Sequence, residues 1–158
     1  MSPHEEFQNS NDGQRFNKAR YKHWIDEHVR FSDLDALGHV NNNSIGEYFE
    51  NARAALFAIL TPNWPWRPEI FVLAHSRIDF RHELRLPAHV RIGSCITTIG
   101  RTSIGIVNAL FHNEGRGLAY CENVSVLIDQ KKRTPVELPT ELRELLLQFR
   151  DGTLADAA

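Results

Sequence analysis

Cysteine occurs only twice, and methionine once, in this chain of 158 residues. Cys95 and Cys121 are too few for a disulfide framework, and their spacing matches no zinc or redox motif, so both are expected as buried, reduced thiols. Charge of one sign is lacking too: 18 Lys and Arg stand against 20 Asp and Glu, mixed along the chain. That balance offers no basic footprint for wrapping nucleic acid and no coat for an anionic membrane. Long apolar runs are missing. The first twenty residues, MSPHEEFQNSNDGQRFNKAR, hold no signal-peptide core, and no later run is long enough to span a bilayer, so a soluble, cytoplasmic protein is expected. Repeats and low-complexity tracts are absent. What is present, at 42% hydrophobic residues, is enough for the core of one domain.

Residues 1–20 are polar and aperiodic and read as a flexible tail, as do residues 151–158, which leaves a domain over 21–150. From Lys22 to Ser32, Trp24, Val29 and Phe31 alternate loosely as in a first strand. Then Ile45, Tyr48, Phe49, Ala52, Leu56 and Ile59 recur at three- and four-residue steps, the stripe of a largely buried helix. The segment TPNWPWRPE ends it, because Pro62, Pro65 and Pro68 forbid regular pairing. Four runs rich in β-branched residues follow: IFVLAHSRIDFRHEL, AHVRIGSCITTIG, TSIGIVNALFHN and GLAYCENVSVLID. HNEGRG reads as the hairpin between the last two. PTELRELLLQF closes the chain as a short helix with Thr140 as N-cap and Leu142, Leu145, Leu146 and Phe149 on one face. Successive strands with short turns are mostly antiparallel, and one long helix against them makes an α+β fold.

Chemistry concentrates where the first strand meets the long helix, in RFSDLDALGHVNNNSIGEYFENAR. Asp33 and Asp35 are two residues apart, so on a continuing strand they would face the same way, which invites an acid/base or a metal reading. Metal is disfavoured because His39 is the nearest further ligand and no second His or Cys stands at ligand spacing. His75, His82 and His89 recur every seven residues, a spacing that changes face along a strand. Helix capping alone would also account for Asn41, Asn42 and Asn43. Free amides at a helix start beside a carboxylate would, however, polarise a carbonyl placed between them.

That stretch, followed by RIDFRHELRLPAHVRI and IGRTSIGI, resembles the hot-dog-fold thioesterases of the 4-hydroxybenzoyl-CoA thioesterase type, over roughly residues 22–149. The resemblance implies a five-stranded antiparallel sheet wrapped around one long central helix, with a short C-terminal helix. It also implies homodimers or homotetramers that pair sheet edges and place active sites between subunits, with no metal or other cofactor. Asp35 matches the catalytic carboxylate, as nucleophile on the thioester or as base for a water. Asn42 matches the residue whose backbone amide holds the thioester oxygen, Gly38 lets the chain turn, His39 sits beside the acid, and Asn41 lies at the substrate-facing helix start. Asp33 is expected to support the turn; Glu50 matches a helix acid without an assigned role. For the phosphates of an acyl-CoA substrate the candidates are Arg81, Arg85, Arg91, Arg101 and Ser103, and Trp64 and Trp66 would cover the acyl channel or a subunit contact. A thioester needs no catalytic triad, since its carbonyl is electrophilic and its thiolate leaves readily. Two readings stand beside hydrolysis of acyl-CoA: hydrolysis of acyl groups on acyl carrier protein, and acyl-CoA binding without turnover.

Overall fold

A computed structural model describes residues 11–63 and 66–154. In chain order the elements are α1 (Asp12–Arg15), β1 (His23–His28), α2 (Asn42–Leu60), β2 (Glu69–Phe80), β3 (His89–Ile99), β4 (Ser103–His112), β5 (Gly117–Asp129), β6 (Thr134–Pro135) and α3 (Thr140–Gln148), with 3-10 turns at Lys18–Arg20 and Phe31–Asp33. The sheet runs β1-β3-β4-β5-β2, every neighbouring pair antiparallel, and the two-residue β6 extends it beside the end of β5. Five full strands curl around α2, as the resemblance implies, and α3 closes one end.

The core lies between α2 and the concave face of the sheet, in two apolar clusters. Ile45, Tyr48, Phe49 and Ala52 meet Val90, Ile92, Leu110 and Cys121 at the N-terminal half of α2. Leu56 and Leu60 meet Phe71, Ile96, Ile104, Leu127 and Leu146 at the other half. Between them a polar row crosses three strands: Arg53 Nη1 donates to Asn123 Oδ1 (3.3 Å), Asn123 Nδ2 to Asn108 Oδ1 (2.8 Å), and Asn108 Nδ2 to Ser94 Oγ (2.7 Å). Arg53 is 8% exposed and makes no ion pair among the described residues, and burial pulls its pKa below the ordinary arginine value. The helix stripe is shifted at its end. Ile59 is 43% exposed and Leu60 is buried instead, because Leu138 and Leu146 close the core on the Leu60 side. At α3 the N-cap is Pro139, not Thr140, and no side chain caps that helix.

The segment before β1 differs from the expected tail. Residues 11–20 are polar in sequence yet lie on the convex face of the sheet, where Phe16, Tyr21 and Trp24 pack against Cys95, Val107, Ala109, Phe111 and Tyr120. Ion pairs secure it: Arg15 to Asp79 at 3.0 Å, Asp12 to Arg81 at 3.0 Å, and Arg20 to Asp151 at 2.8 Å. The Arg20–Asp151 pair also ties down the start of the expected C-terminal tail, since Asp151 is 4% exposed. Residues 1–10 and 155–158, expected as tails, lie outside the described residues, and so does Trp64. Trp66 is 89% exposed. Cys95 and Cys121 are both buried and free, and burial raises the Cys95 thiol to about 12. No described helix is long and apolar enough to cross a membrane.

Candidate active site

The strand expected to run through Ser32 stops at His28, and a 3-10 turn over Phe31–Asp33 redirects the chain. Asp33 and Asp35 therefore do not share a face. Asp33 turns inward, 7% exposed, and its Oδ2 accepts from the Arg30 backbone N–H (2.8 Å) and the Tyr48 hydroxyl (2.5 Å). Its carbonyl accepts from Asn41 N–H (2.8 Å) and the Ser44 hydroxyl (3.3 Å), so Asp33 fastens the turn to the first turn of α2. Burial, then the bond to Asp33, raises the Tyr48 pKa above the ordinary tyrosine value and keeps the phenol a donor.

Asp35 remains half-buried at the mouth of a tight loop. Its N–H donates to His39 O (2.8 Å), its carbonyl accepts from Gly38 N–H (3.1 Å), and Leu34 bridges Val40 across the loop. Gly38 has φ +76°, a conformation that glycine adopts without steric cost. Oδ1 of Asp35 accepts from Leu37 N–H (2.8 Å) and His39 N–H (3.1 Å), which is the side-chain turn that aspartate favours. Oδ2 has no hydrogen-bond partner among the described residues. His39 thus orients the acid, but through its backbone. Its imidazole is engaged by other groups, with Nε2 3.1 Å from Glu83 Oε2 and in contact with Arg85.

Of the three asparagines, Asn41 is the N-cap of α2: its backbone is extended and its Oδ1 accepts from Asn43 N–H at 2.8 Å. Asn42 is the first helical residue, and its N–H enters no hydrogen bond among the described residues. At the start of a 19-residue helix such an amide carries the positive end of the helix dipole. Asp35, His39 and Asn42 line one cavity of about 320 Å³ together with Val40, Ile45, Phe80, Arg81, His82, Glu83 and Leu84. The structure brings Asp35, His39, Asn42 and Arg81 together here, with Gly38 and Asn41 shaping the loop and helix start around them.

Other expected residues lie elsewhere. Arg101 and Ser103 sit at the β3–β4 turn, where Arg101 pairs with Glu137 (2.8 Å), and neither lines the Asp35 cavity of the same chain. Arg91 pairs with Asp26 (2.9 Å) across β1 and β3. Arg85 joins the site only through His39 and Glu83. His89 meets His28, Nδ1 to Nδ1 at 2.7 Å, and not the other histidines of the seven-residue series. Phe80, His82 and Glu83 were not foreseen: they follow the apolar run of β2, where the pattern reports a strand end and not what that end faces.

Known proteins share this fold. A structure of a thioesterase from Thermus thermophilus, complexed with coenzyme A and zinc, superposes with a TM-score of 0.73 at 31% identity, covering 80% of this chain and 98% of that one. A protein of Pseudomonas aeruginosa superposes at 0.75 with 25% identity, covering 85% and 95%. The Bacillus subtilis protein YsmA is 26% identical over 122 residues, covering 77% of this chain and 83% of its own. The two solved structures are hot-dog neighbours that share the curled antiparallel sheet and its packed helix. The model of the thioesterase-like superfamily matches residues 29–146, a span that opens just before the Asp33–Asn42 turn and closes within α3, and this chain is accordingly a member of that superfamily.

Proposed function

We propose that the protein hydrolyses acyl-CoA thioesters to a free carboxylic acid and coenzyme A, with Asp35 as the reacting carboxylate. The observation that carries this reading is that two residues lining one cavity each keep a group without a partner among the described residues: the Oδ2 of Asp35 and the N–H of Asn42. A thioester carbonyl between them would meet a carboxylate oxygen on one side and a helix-terminal amide on the other. Two routes fit. Oδ2 attacks the carbonyl carbon, the C–S bond breaks with loss of the thiolate, and water then hydrolyses the acyl-aspartate anhydride; or Oδ2 takes a proton from a water that attacks directly. In both, negative charge grows on the carbonyl oxygen, where the Asn42 N–H and the α2 dipole stabilise it.

The Leu37 and His39 amides hold Oδ1, so the carboxylate is oriented before substrate arrives. Arg101 and Ser103 would reach such a substrate only from a second copy of the chain, consistent with assembly through the sheet-edge strands β1 and β2. The deciding experiment is release of free thiol from short, long and aromatic acyl-CoAs by the purified protein. Turnover of at least one class is expected. Tight acyl-CoA binding with no thiol released across the panel would replace this reading by that of an acyl-binding protein.

A further inference from the structure

We propose that the open depression walled by Arg81, Arg85, His112 and Arg116 is the anion subsite for a phosphorylated pantetheine arm, and that Arg116 supplies its free charge. This rests on the thioester-hydrolase reading of the neighbouring cavity. The depression has a volume of about 540 Å³ and is completed by His82, Glu83 and Leu84. Arg81, His82, Glu83 and Leu84 also line the Asp35 cavity, so the two spaces share a wall. Five of the seven residues around it are Arg or His and one is acidic. In a chain with more acids than Lys and Arg overall, that local excess marks a place where anions concentrate.

The three arginines differ in what already holds them. Arg81 Nε is paired with Asp12 Oδ1 at 3.0 Å, and its side chain is 12% exposed. Arg85 reaches Glu83 Oε2 at 3.5 Å and touches His39. The Arg116 side chain makes no hydrogen bond or ion pair among the described residues. Its backbone is nevertheless fixed by the β4–β5 hairpin: its carbonyl accepts from His112 N–H (2.8 Å), and Gly115, at φ +92°, donates to His112 O (2.7 Å). A guanidinium anchored at its backbone and free of counter-charge keeps its donors for an oxyanion. His112 stands beside it, with Nδ1 accepting from the Glu114 N–H (3.3 Å) and 3.8 Å from Glu114 Oε2, so Arg116 is the cation of this wall that no carboxylate meets among the described residues. Arg101 offers no equivalent within one chain, being paired with Glu137 and remote from this wall.

Coenzyme A carries a pyrophosphate and a ribose 3′-phosphate, whereas the arm of a carrier protein carries one phosphodiester; both present phosphate oxygens at the end of the same pantetheine. The test uses one acyl group on three carriers: coenzyme A, 4′-phosphopantetheine and pantetheine. In Arg116→Ala, KM for acyl-CoA should rise about tenfold relative to KM for acyl-pantetheine, with partial recovery in Arg116→Lys, as expected for loss of one charge-assisted contact. Lys131→Ala, on the remote β5–β6 turn, should leave that ratio at its wild-type value. An equal rise for acyl-4′-phosphopantetheine assigns the contact to the 4′-phosphate; a rise confined to acyl-CoA assigns it to the nucleotide phosphates. An unchanged KM ratio in Arg116→Ala overturns the proposal. Titration calorimetry with coenzyme A alone gives an answer without turnover. If no thioester is cleaved, the hydrolase reading falls, while a Kd for coenzyme A about tenfold weaker in Arg116→Ala still supports the subsite and an unchanged Kd still overturns it.

Discussion

Asp35 and Asp151 sit in the same kind of local turn and differ in one oxygen. Each accepts on Oδ1 from the backbone N–H two residues ahead, Leu37 at 2.8 Å and Thr153 at 2.9 Å. At Asp151 the rest of the carboxylate is also consumed. The Thr153 hydroxyl adds a bond to Oδ1 (2.7 Å), and Arg20 Nε takes Oδ2 (2.8 Å). At Asp35 the second oxygen is left without a partner among the described residues, on a side chain that lines a cavity. A short turn can therefore hold a carboxylate at little cost, and what its second oxygen meets decides between mortar and reagent.

The sharpest way to break this comparison is to neutralise each acid in turn. Asp35→Asn keeps the turn and loses the charge, so turnover should fall about 10³- to 10⁴-fold with the melting temperature near wild type. Asp151→Asn should do the reverse. It strands the buried Arg20, 8% exposed at its side chain, and should cost about 3–5 kcal/mol of stability while the molecules that remain folded keep their turnover. Steady-state thiol release and urea unfolding on the same two variants check both halves. An Asp35→Asn variant that is fully active but unstable would place the reacting acid elsewhere.

The next effect concerns Asn42, which lines the same cavity as Asp35. Asn42→Pro removes the backbone donor at a position where proline is accepted in a helix, and should lower turnover on the order of 100- to 1000-fold. Asn42→Ala keeps the donor. Because Asn41 and not Asn42 caps α2, the alanine change should be close to neutral in stability, whereas Asn41→Ala should cost about 1 kcal/mol. With both variants folded by circular dichroism, equal turnover in proline and alanine would remove Asn42 from the oxyanion site.

How far the sequence reached follows the same division between local and distant. The four strands after the loop, the HNEGRG hairpin and the α2 stripe were legible because β-branched runs between turn residues and three- to four-residue apolar steps are local signals. The Asp35 turn was legible as a motif with a glycine at the position that needs positive φ. Three things were not. A strand continuing past His28 would have set Asp33 beside Asp35, and only the 3-10 turn separates them. Arg53 stands outside the apolar stripe of α2, yet it is buried, and its hydrogen-bond partner Asn123 lies 70 residues away on β5. The segment over 11–20 looks like a tail because its contacts are one apolar ring, Phe16, and charges to Asp79, Arg81 and Asp151, and neither a lone aromatic nor ion pairs between distant residues leave a periodic trace.

The smallest expected effect uses pH to separate the two turns once more. Burial pushes the Asp151 carboxyl up, but the hydroxyl and amide of Thr153 and the guanidinium of Arg20 outweigh it, so the carboxyl is held below the ordinary aspartate value. A folded pKa below the unfolded one means that the unfolded chain binds the proton first. The stability contributed by Asp151 is then present above the unfolded value, about 3.9, and is lost as pH falls through the folded value. In that acid range the wild-type side chain becomes a neutral acid and resembles the asparagine of the variant. The gap in unfolding free energy between wild type and Asp151→Asn, measured in urea, should accordingly be widest near pH 7 and narrow below about pH 4. A gap that stayed constant down to about pH 3 would mean that Asp151 acts through shape and hydrogen bonds and not through its charge. The closed turn would then differ from the open one at Asp35 in geometry alone.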